Sequence, residues 1–302
     1  MKISVALCTY NGEKYIEEQI LSILNQTVPV DEIVVRDDGS TDSTIPIIQK
    51  IACDHPGIHW DIKVNESNQG VVKNFENAIF ACQGDYIFLS DQDDIWMRNK
   101  VQTIMDFFSS HPQTKVVFSN AEMIDEHGNI LGGKTLFDYV GLNNDLWDKG
   151  LGAELMISEN RITGATMAMR GKPLPFAQFD VNMLHDERIA LEALSHNSLS
   201  IIHKHLIAYR NHSAQTCGII PIPPDFDSLR LEVAQRILKL PVSAELLNRI
   251  KFREWRLRQT KSRAGWMRIF FAMPKYFRYF KSYAMPVIRK DFVASWRCMV
   301  NH

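Results

Sequence analysis

Three carboxylates, Asp91, Asp93 and Asp94, fall within four residues directly after the apolar run Tyr86-Ile87-Phe88-Leu89. Crowded negative charge of this kind calls for a cation. Oxygen donors at alternate positions of a strand end suit a hard divalent ion, Mg²⁺ or Mn²⁺, which commonly bridges to substrate phosphates. The competing reading is a solvated acidic turn that caps a helix starting near Arg98. Polar loops of similar flavour occur at three earlier places: Thr9-Tyr10-Asn11-Gly12-Glu13, Arg36-Asp37-Asp38-Gly39-Ser40-Thr41-Asp42, and Asn65 through Asn68-Gln69-Gly70. Glycine in a strand-to-helix turn lets backbone approach a ligand, and an Asp there can accept from a ribose hydroxyl or a base N–H. Taken singly, Asp-Gly-Ser-Thr-Asp also fits a tight turn followed by a helix cap. Four such loops behind four strands point instead to one nucleotide-diphosphate site.

The elements that would carry these loops are legible from periodicity. Ile3 to Cys8 reads as a strand, and Glu13 to Leu24 as a helix with Tyr15, Ile16, Ile20, Ile23 and Leu24 at helical spacing. Ile33-Val34-Val35 is a second strand, Ser43 to Ala52 a helix, Trp60 to Val64 a short strand and Val71 to Cys82 a helix. Tyr86 to Leu89 has the continuous apolar character of a strand buried on both faces. This alternation predicts an α/β fold with a doubly wound, mostly parallel sheet, whose right-handed connections leave the strand ends facing one crevice. Further on, Val116 to Asn120 reads as a strand, Asp125 to Asn129 as a hairpin turn, and Ile162 to Met169 as a strand with Thr163-Gly164 near its start. Leu136 to Glu154 has few periodic features and several Gly, Asn and Asp, and reads as a loop.

The chain of 302 residues has a formal net charge of −1, which conceals a division. From Arg249 to His302 there are 14 Lys/Arg against only Glu254 and Asp291, while the remainder holds 20 basic and 33 acidic residues. An acidic body therefore carries a strongly basic tail. The five cysteines are widely spaced and form no Cys-x-x-Cys pair, which fits a reducing cytoplasm better than disulfides or zinc. The apolar run after Met1-Lys2 stops at Thr9, so it reads as a first strand and not an export signal. No stretch of 18 apolar residues predicts a membrane span.

The ordered series Cys8-Thr9-Tyr10-Asn11-Gly12-Glu13, Asp37-Asp38-Gly39-Ser40-Thr41-Asp42, Asn68-Gln69-Gly70 with Asn74, and Asp91-Gln92-Asp93-Asp94 resembles the signatures of family 2 glycosyltransferases of the GT-A fold. With Tyr209-Arg210-Asn211-His212 it is most similar to the bacterial rhamnosyltransferase-like branch, and the resemblance covers roughly residues 1 to 215. It implies an inverting enzyme that uses Mn²⁺ or Mg²⁺ and a nucleotide-diphosphate sugar, dTDP- or UDP-linked, with rhamnose as one donor sugar and a saccharide, including a lipid-linked one, as acceptor. It implies nucleotide contacts from Thr9, Tyr10, Glu13, Asp38, Gly70, Asn74 and Asp91. Asp93 takes the metal-ligand position, Asp94 is a weaker candidate, and His212 is a possible addition to that shell. Thr163 and Gly164 fall on the acceptor side. Asp186, in Met183-Leu184-His185-Asp186-Glu187-Arg188, takes the place of the family's catalytic base. A carboxylate at a helix N-terminus is stabilised in its ionised form and so is poised to accept a proton. Without the resemblance, an ordinary N-terminal Asp paired with Arg188 or Arg170 is the favoured reading, and Glu187 is adjacent.

Beyond the expected catalytic domain, residues 1–218, residues 219–302 read as a helical extension. Ile219 to Pro224 is a rigid connector, and Phe226, Leu229, Val233, Ile237 and Leu240 form an apolar stripe. In Lys275 to Met285, Tyr276, Phe277, Phe280, Tyr283 and Ala284 fall on one helical side and Lys275, Arg278 and Lys281 on the other. That pattern predicts peripheral attachment to an anionic membrane, at the inner face of the plasma membrane of a cytoplasmic enzyme. Packing against the protein's own acidic body is the alternative. A nucleic-acid partner is not expected, because no binding module is present. Two other functions remain open on the residues: a sugar nucleotidyltransferase, which would need a Gly-rich basic phosphate loop after the first strand, and a non-catalytic nucleotide-sugar-binding module.

Overall fold

The computed structural model describes residues 1–142, 147, 161–172, 184–213, 215, 248, 251–252, 255–256, 258–259, 264–280 and 284–300. The chain forms two compact units, Met1–Gly141 with Ile162–Ile219, and Leu142–Arg161 with Ile220–His302. The apolar stripe from Phe226 to Leu240 and the proline connector lie outside the described residues, as does most of the segment from Leu136 to Glu154.

In the first unit, β1 (Ile3–Thr9), β2 (Glu32–Asp37), β3 (His59–Val64) and β4 (Tyr86–Ser90) alternate with α1 (Ile16–Leu24), α2 (Thr44–Asp54) and α3 (Val71–Ala81). Then come β5 (Ile95–Trp96), α4 (Lys100–Ser110), β6 (Val116–Ile124), α5 (Leu136–Tyr139), β7 (Met167–Arg170), α6 (His185–Ser195) and β8 (Leu199–Arg210). The eight strands form one sheet in the order β3-β2-β1-β4-β7-β6-β8-β5. Every residue of β1 and β2 is buried, as expected of central parallel strands covered on both faces, whereas the edge strand β3 is only half-buried. Ile16, Ile20 and Ile23 of α1, Ile48 and Ile51 of α2, and Val101, Ile104 and Phe108 of α4 share one core with Val5, Leu7, Ile33, Val35 and Phe88 of the strands.

Strand direction brings the polar loops together. β1 to β4 pair in parallel, with Thr9 level with Asp37, Asp37 with Val64 and Leu7 with Ser90. The order reverses at β1, because β2 and β3 lie on one side of it and β4 on the other. A reversal of this kind opens a crevice at the carboxyl ends. β7 runs antiparallel to β4, with Phe88 opposite Ala168, so its starting end reaches the edge where β4 finishes. β6 and β8 run parallel to each other, and their last residues Ile124 and Arg210 are level.

Several sequence expectations need correction. The strand expected over Ile162 to Met169 begins only at Met167, because Gly164–Thr166 forms a 3-10 turn in which Thr166 N–H and Oγ1 both bond to Thr163 O, at 3.0 and 2.7 Å. The sheet itself agrees with expectation, mostly parallel, with β7 opposing both its neighbours and β5 opposing β8. β6 runs four residues past Asn120. Leu136 opens a helical turn, α5, with a capping box between Thr135 and Asp138.

In the second unit, α7 (Gly265–Phe271), α8 (Met273–Phe280) and α9 (Ala284–Val300) enclose Phe252, Ile269, Tyr276 and Ile288. Arg256 holds Asp291 through two bonds, Nε to Oδ2 at 2.6 Å and Nη2 to Oδ1 at 3.0 Å, and Tyr276 OH donates to Asp291 Oδ2 at 2.7 Å. The apolar side expected over Lys275 to Met285 is therefore divided. Tyr276 turns into the unit's own core, while Phe277 remains 48% exposed. The side chains of Phe280, Tyr283 and Ala284 lie outside the described set.

Candidate active site

The loop after β1 is fixed mainly by side chains of its neighbours. Asn11 adopts φ +48°, donates its N–H to Ser40 Oγ at 2.8 Å and accepts from Thr41 N–H at 2.9 Å. Gln92 clasps the same loop, accepting from Tyr10 N–H at 2.8 Å and donating to Tyr10 O at 3.0 Å. Gly12 makes room for that clasp, because a Cβ there would lie 2.3 Å from Gln92 Oε1. Glu13 accepts from Ser43 N–H at 2.9 Å, next to the start of α2.

The second and third loops are joined by Asp38. Its carboxylate accepts from Asn65 Nδ2, Gln69 N–H and Gly70 N–H, all at 2.8 Å. Gly70 has φ +84° and ψ 156°, a backbone region that L side chains rarely adopt. Asn74, on the first turn of α3, bonds from Nδ2 to Arg36 O at 2.7 Å and accepts from Asn65. Thr9 Oγ1 donates to Asp37 Oδ1 at 2.7 Å.

Thr9, Tyr10, Glu13, Asp38, Gly70, Asn74, Asp91, Asp93 and His212 all line one cleft of about 880 Å³. Tyr15, Phe75 and Glu126 line it too. Tyr10 is 46% exposed, an aromatic face open to a ligand. Asp186 and Gly164 are outside this lining but bonded to each other, Gly164 N–H donating to Asp186 Oδ2 at 3.1 Å, while Thr163 supplies the carbonyl that closes the 3-10 turn. Asp186 sits in the first turn of α6, as expected, and its field reaches Asp91. The Arg170 alternative does not arise, since that guanidinium lies over Tyr86 and Phe108 and bonds to Phe108 O.

Electrostatics are severe along the fourth loop. Burial, then the charges of Asp93 and Asp186, push the Asp91 carboxyl up to about 7, against the pull of Lys100. Burial, followed by Asp93 and Asp91, raises Asp94 well above the usual carboxylate range. Asp94 Oδ1 accepts from the Arg210 N–H at 3.0 Å, and its Oδ2 is buried without a hydrogen-bond partner. Asp93 lines the cleft, and its Oδ2 lies 2.9 Å from His212 Nε2. Among the described residues, no three or more His, Cys, Asp or Glu side chains gather closely enough to hold an ion alone. An oxygen and an imidazole nitrogen at an open cleft fit an ion of the Mn²⁺ or Mg²⁺ type, which is held by one or two protein groups together with substrate phosphates.

Two buried cations that support this loop were not assigned a role from the sequence. Arg210 donates from Nε to Asp93 O at 2.8 Å and from Nη2 to Glu18 Oε2 at 2.6 Å, and its guanidinium lies 4.6 Å from the centre of the Tyr15 ring. Lys100 is fully buried and donates from Nζ to Ala165 O at 2.8 Å. Arg210 stands inside the Tyr-Arg-x-His segment, so a signal existed for it. Lys100 reads as an ordinary lysine at a helix start.

Comparison with known proteins bears on the family and the fold. The chain is 32% identical over 129 residues to a chondroitin synthase of Escherichia coli, covering 43% of this chain and 18% of that protein. It is 36% identical over 118 residues to the dTDP-rhamnosyl transferase RfbG of Shigella flexneri, 38% of each chain. The chain thus spans well under two thirds of the length of these relatives. Among solved structures, S. aureus TarS 1-349 in complex with UDP-GlcNAc superposes with a TM-score of 0.63 at 19% identity, over 99% of this chain and 89% of that one. The mannosyltransferase PcManGT from Pyrobaculum calidifontis, in complex with GDP-Man and Mn²⁺, gives 0.51 at 15% identity, over 99% and 87%. The fold is thus the GT-A arrangement. Residues 4–173, more than half of the sequence, match the description Glycosyl transferase family 2; the chain belongs to that family.

Proposed function

We propose that the chain is an inverting glycosyltransferase that moves a sugar from a nucleotide-diphosphate donor to a hydroxyl of a saccharide acceptor. The observation that carries this reading is the meeting of Asp93 with His212 in a cleft walled by the Asp38 and Gly70 loops, beside the Asp186–Gly164 contact. Tyr10, Asp38 and Gly70 bind the nucleoside end of the donor. Asp93 and His212 would hold a divalent ion, which when bound would supply positive charge to the departing diphosphate. Asp186 takes the proton of the acceptor hydroxyl as that oxygen bonds to the anomeric carbon and the bond from that carbon to the phosphate oxygen breaks, releasing the nucleoside diphosphate. Attack from the face opposite the leaving group inverts the anomeric centre.

The finer assignment is a rhamnosyl donor and bacterial surface polysaccharide, O-antigen or capsule, with a lipid-linked acceptor. It draws on the likeness to RfbG. Among the described residues no helix is long and apolar enough to cross a membrane, and the basic helical unit supplies a peripheral attachment instead. The test is incubation with a panel of dTDP-, UDP- and GDP-sugars with and without Mn²⁺, followed by detection of products. Free nucleoside diphosphate is expected. Pyrophosphate formed in a parallel incubation with nucleoside triphosphates and sugar 1-phosphates would indicate a nucleotidyltransferase, and absence of both products would leave only a binding module.

A further inference from the structure

Lys100 opens α4 and is 0% exposed. Its ammonium lies 4.0 Å from the centre of the Trp96 ring and bonds to Ala165 O at 2.8 Å. Ala165 is the middle residue of the 3-10 turn whose first residue, Gly164, donates its N–H to Asp186. The same ammonium is attracted by Asp94 and Asp91. Burial opposes its charge and the two carboxylates favour it, leaving its pKa lowered to about 7. A buried ammonium is costly unless it is paired, and a methionine would fill the same space without that cost. The charge therefore needs a reason, and packing does not supply one.

We propose that Lys100 is a positioning residue that ties the Gly164–Thr166 turn to Trp96 and the start of α4 and so holds Asp186 in place relative to the donor. The inference rests on the reading of Asp186 as the base. Lys100 touches no substrate. Its bond fixes the carbonyl one residue beyond the amide that orients the Asp186 carboxylate, and its contact with the Trp96 ring braces that turn from the β5 side. Small displacements at a reacting centre are expensive, which makes such a tether useful.

The experiment is a double-mutant cycle on the full chain between Lys100→Met and Asp186→Asn, with kcat and donor KM measured separately. Lys100→Met should lower kcat by about ten- to a hundredfold and change donor KM by less than about threefold. Lys100→Arg, which keeps the charge and an N–H donor, should recover most of the loss. On the Asp186→Asn background, Lys100→Met should cost less than about a further twofold, because the group it positions is already gone. Multiplicative losses, or a change confined to KM, would overturn the inference. If Asp186→Asn is crippled while Lys100→Met turns over normally, only this inference falls. If Asp186→Asn turns over normally, the base assignment falls and this inference with it. Should circular dichroism show that Lys100→Met is unfolded, Lys100→Leu, which likewise removes both the charge and the donor to Ala165 O, takes its place in the cycle with the same outcomes.

Discussion

His212 Nε2 lies 2.9 Å from Asp93 Oδ2, a contact between residues 119 positions apart in the chain. It forms because β8 delivers its carboxyl end to the sheet edge where β4 finishes, and Arg210 then fastens the Asp93 carbonyl and the Asp94 carboxylate at that edge. Asp93→Asn should cut Mn²⁺-dependent transfer by about a hundredfold or more, the scale of losing a group that stabilises transition-state charge. UDP affinity measured by calorimetry should weaken in Mn²⁺ and stay unchanged in EDTA. Equal affinity in Mn²⁺ for both proteins would remove the ion from this pair.

Asp186→Asn separates base from binder. Loss of a general base costs roughly 10²- to 10⁴-fold, and the loss should fall on kcat with donor KM nearly constant. The Asp186 carboxylate already accepts Gly164 N–H, and an asparagine oxygen can replace that bond, so the fold should persist. Crippling by Glu187→Gln with a healthy Asp186→Asn would shift the assignment by one residue.

Stability should fall in acid through a group far from the cleft. Glu32 is buried in β2, and burial alone would raise its pKa, yet Gln83 N–H at 2.7 Å, the Ser4 hydroxyl and Lys2 Nζ at 3.3 Å hold it below the ordinary value. A depressed folded-state pKa contributes stability above the unfolded value of about 4.3 and loses it as pH drops through the folded one. Glu32→Gln should therefore be less stable than the native chain at pH 7, and the gap in Tm should narrow between about pH 5 and pH 3. A gap independent of pH would show that the carboxylate charge is not what Ser4, Gln83 and Lys2 stabilise.

The four loops were legible because each follows a short strand-like run, and β1 and β2 are apolar enough to be buried along their whole length. β8 was not, and the reason lies in its middle. His203, Lys204 and His205 are exposed and interrupt the apolar pattern, and the pairing with β6 shifts register around Asn120, opposite that triplet. A strand that bulges loses the period by which strands are read. Lys100 was missed for another reason: lysine is so rarely buried that sequence reasoning places it in solvent. In the same way, helical spacing put Tyr276 beside Phe277 on one side, because spacing does not reveal that Arg256 and Asp291 offer a hydroxyl partner indoors.

What remains exposed on the helical unit decides the last prediction. Phe270 and Phe271 end α7 at 59% and 81% exposure, and Phe277 on α8 is 48% exposed. Arg268, Lys275 and Arg278 share these two short helices. Rings with basic neighbours suit the headgroup region of an anionic bilayer, where each basic residue contributes about 1 kcal/mol and each ring adds apolar burial. The full chain should sediment with vesicles containing phosphatidylglycerol at low salt, and should be released as ionic strength rises, because the charge contribution is screened. Changing Phe270 and Phe271 together to serine should weaken binding at every salt concentration, whereas Lys275→Glu with Arg278→Glu should remove most of its salt dependence. Sedimentation that is equally weak with neutral and anionic vesicles at low salt would leave these rings without a lipid role and sink the membrane reading.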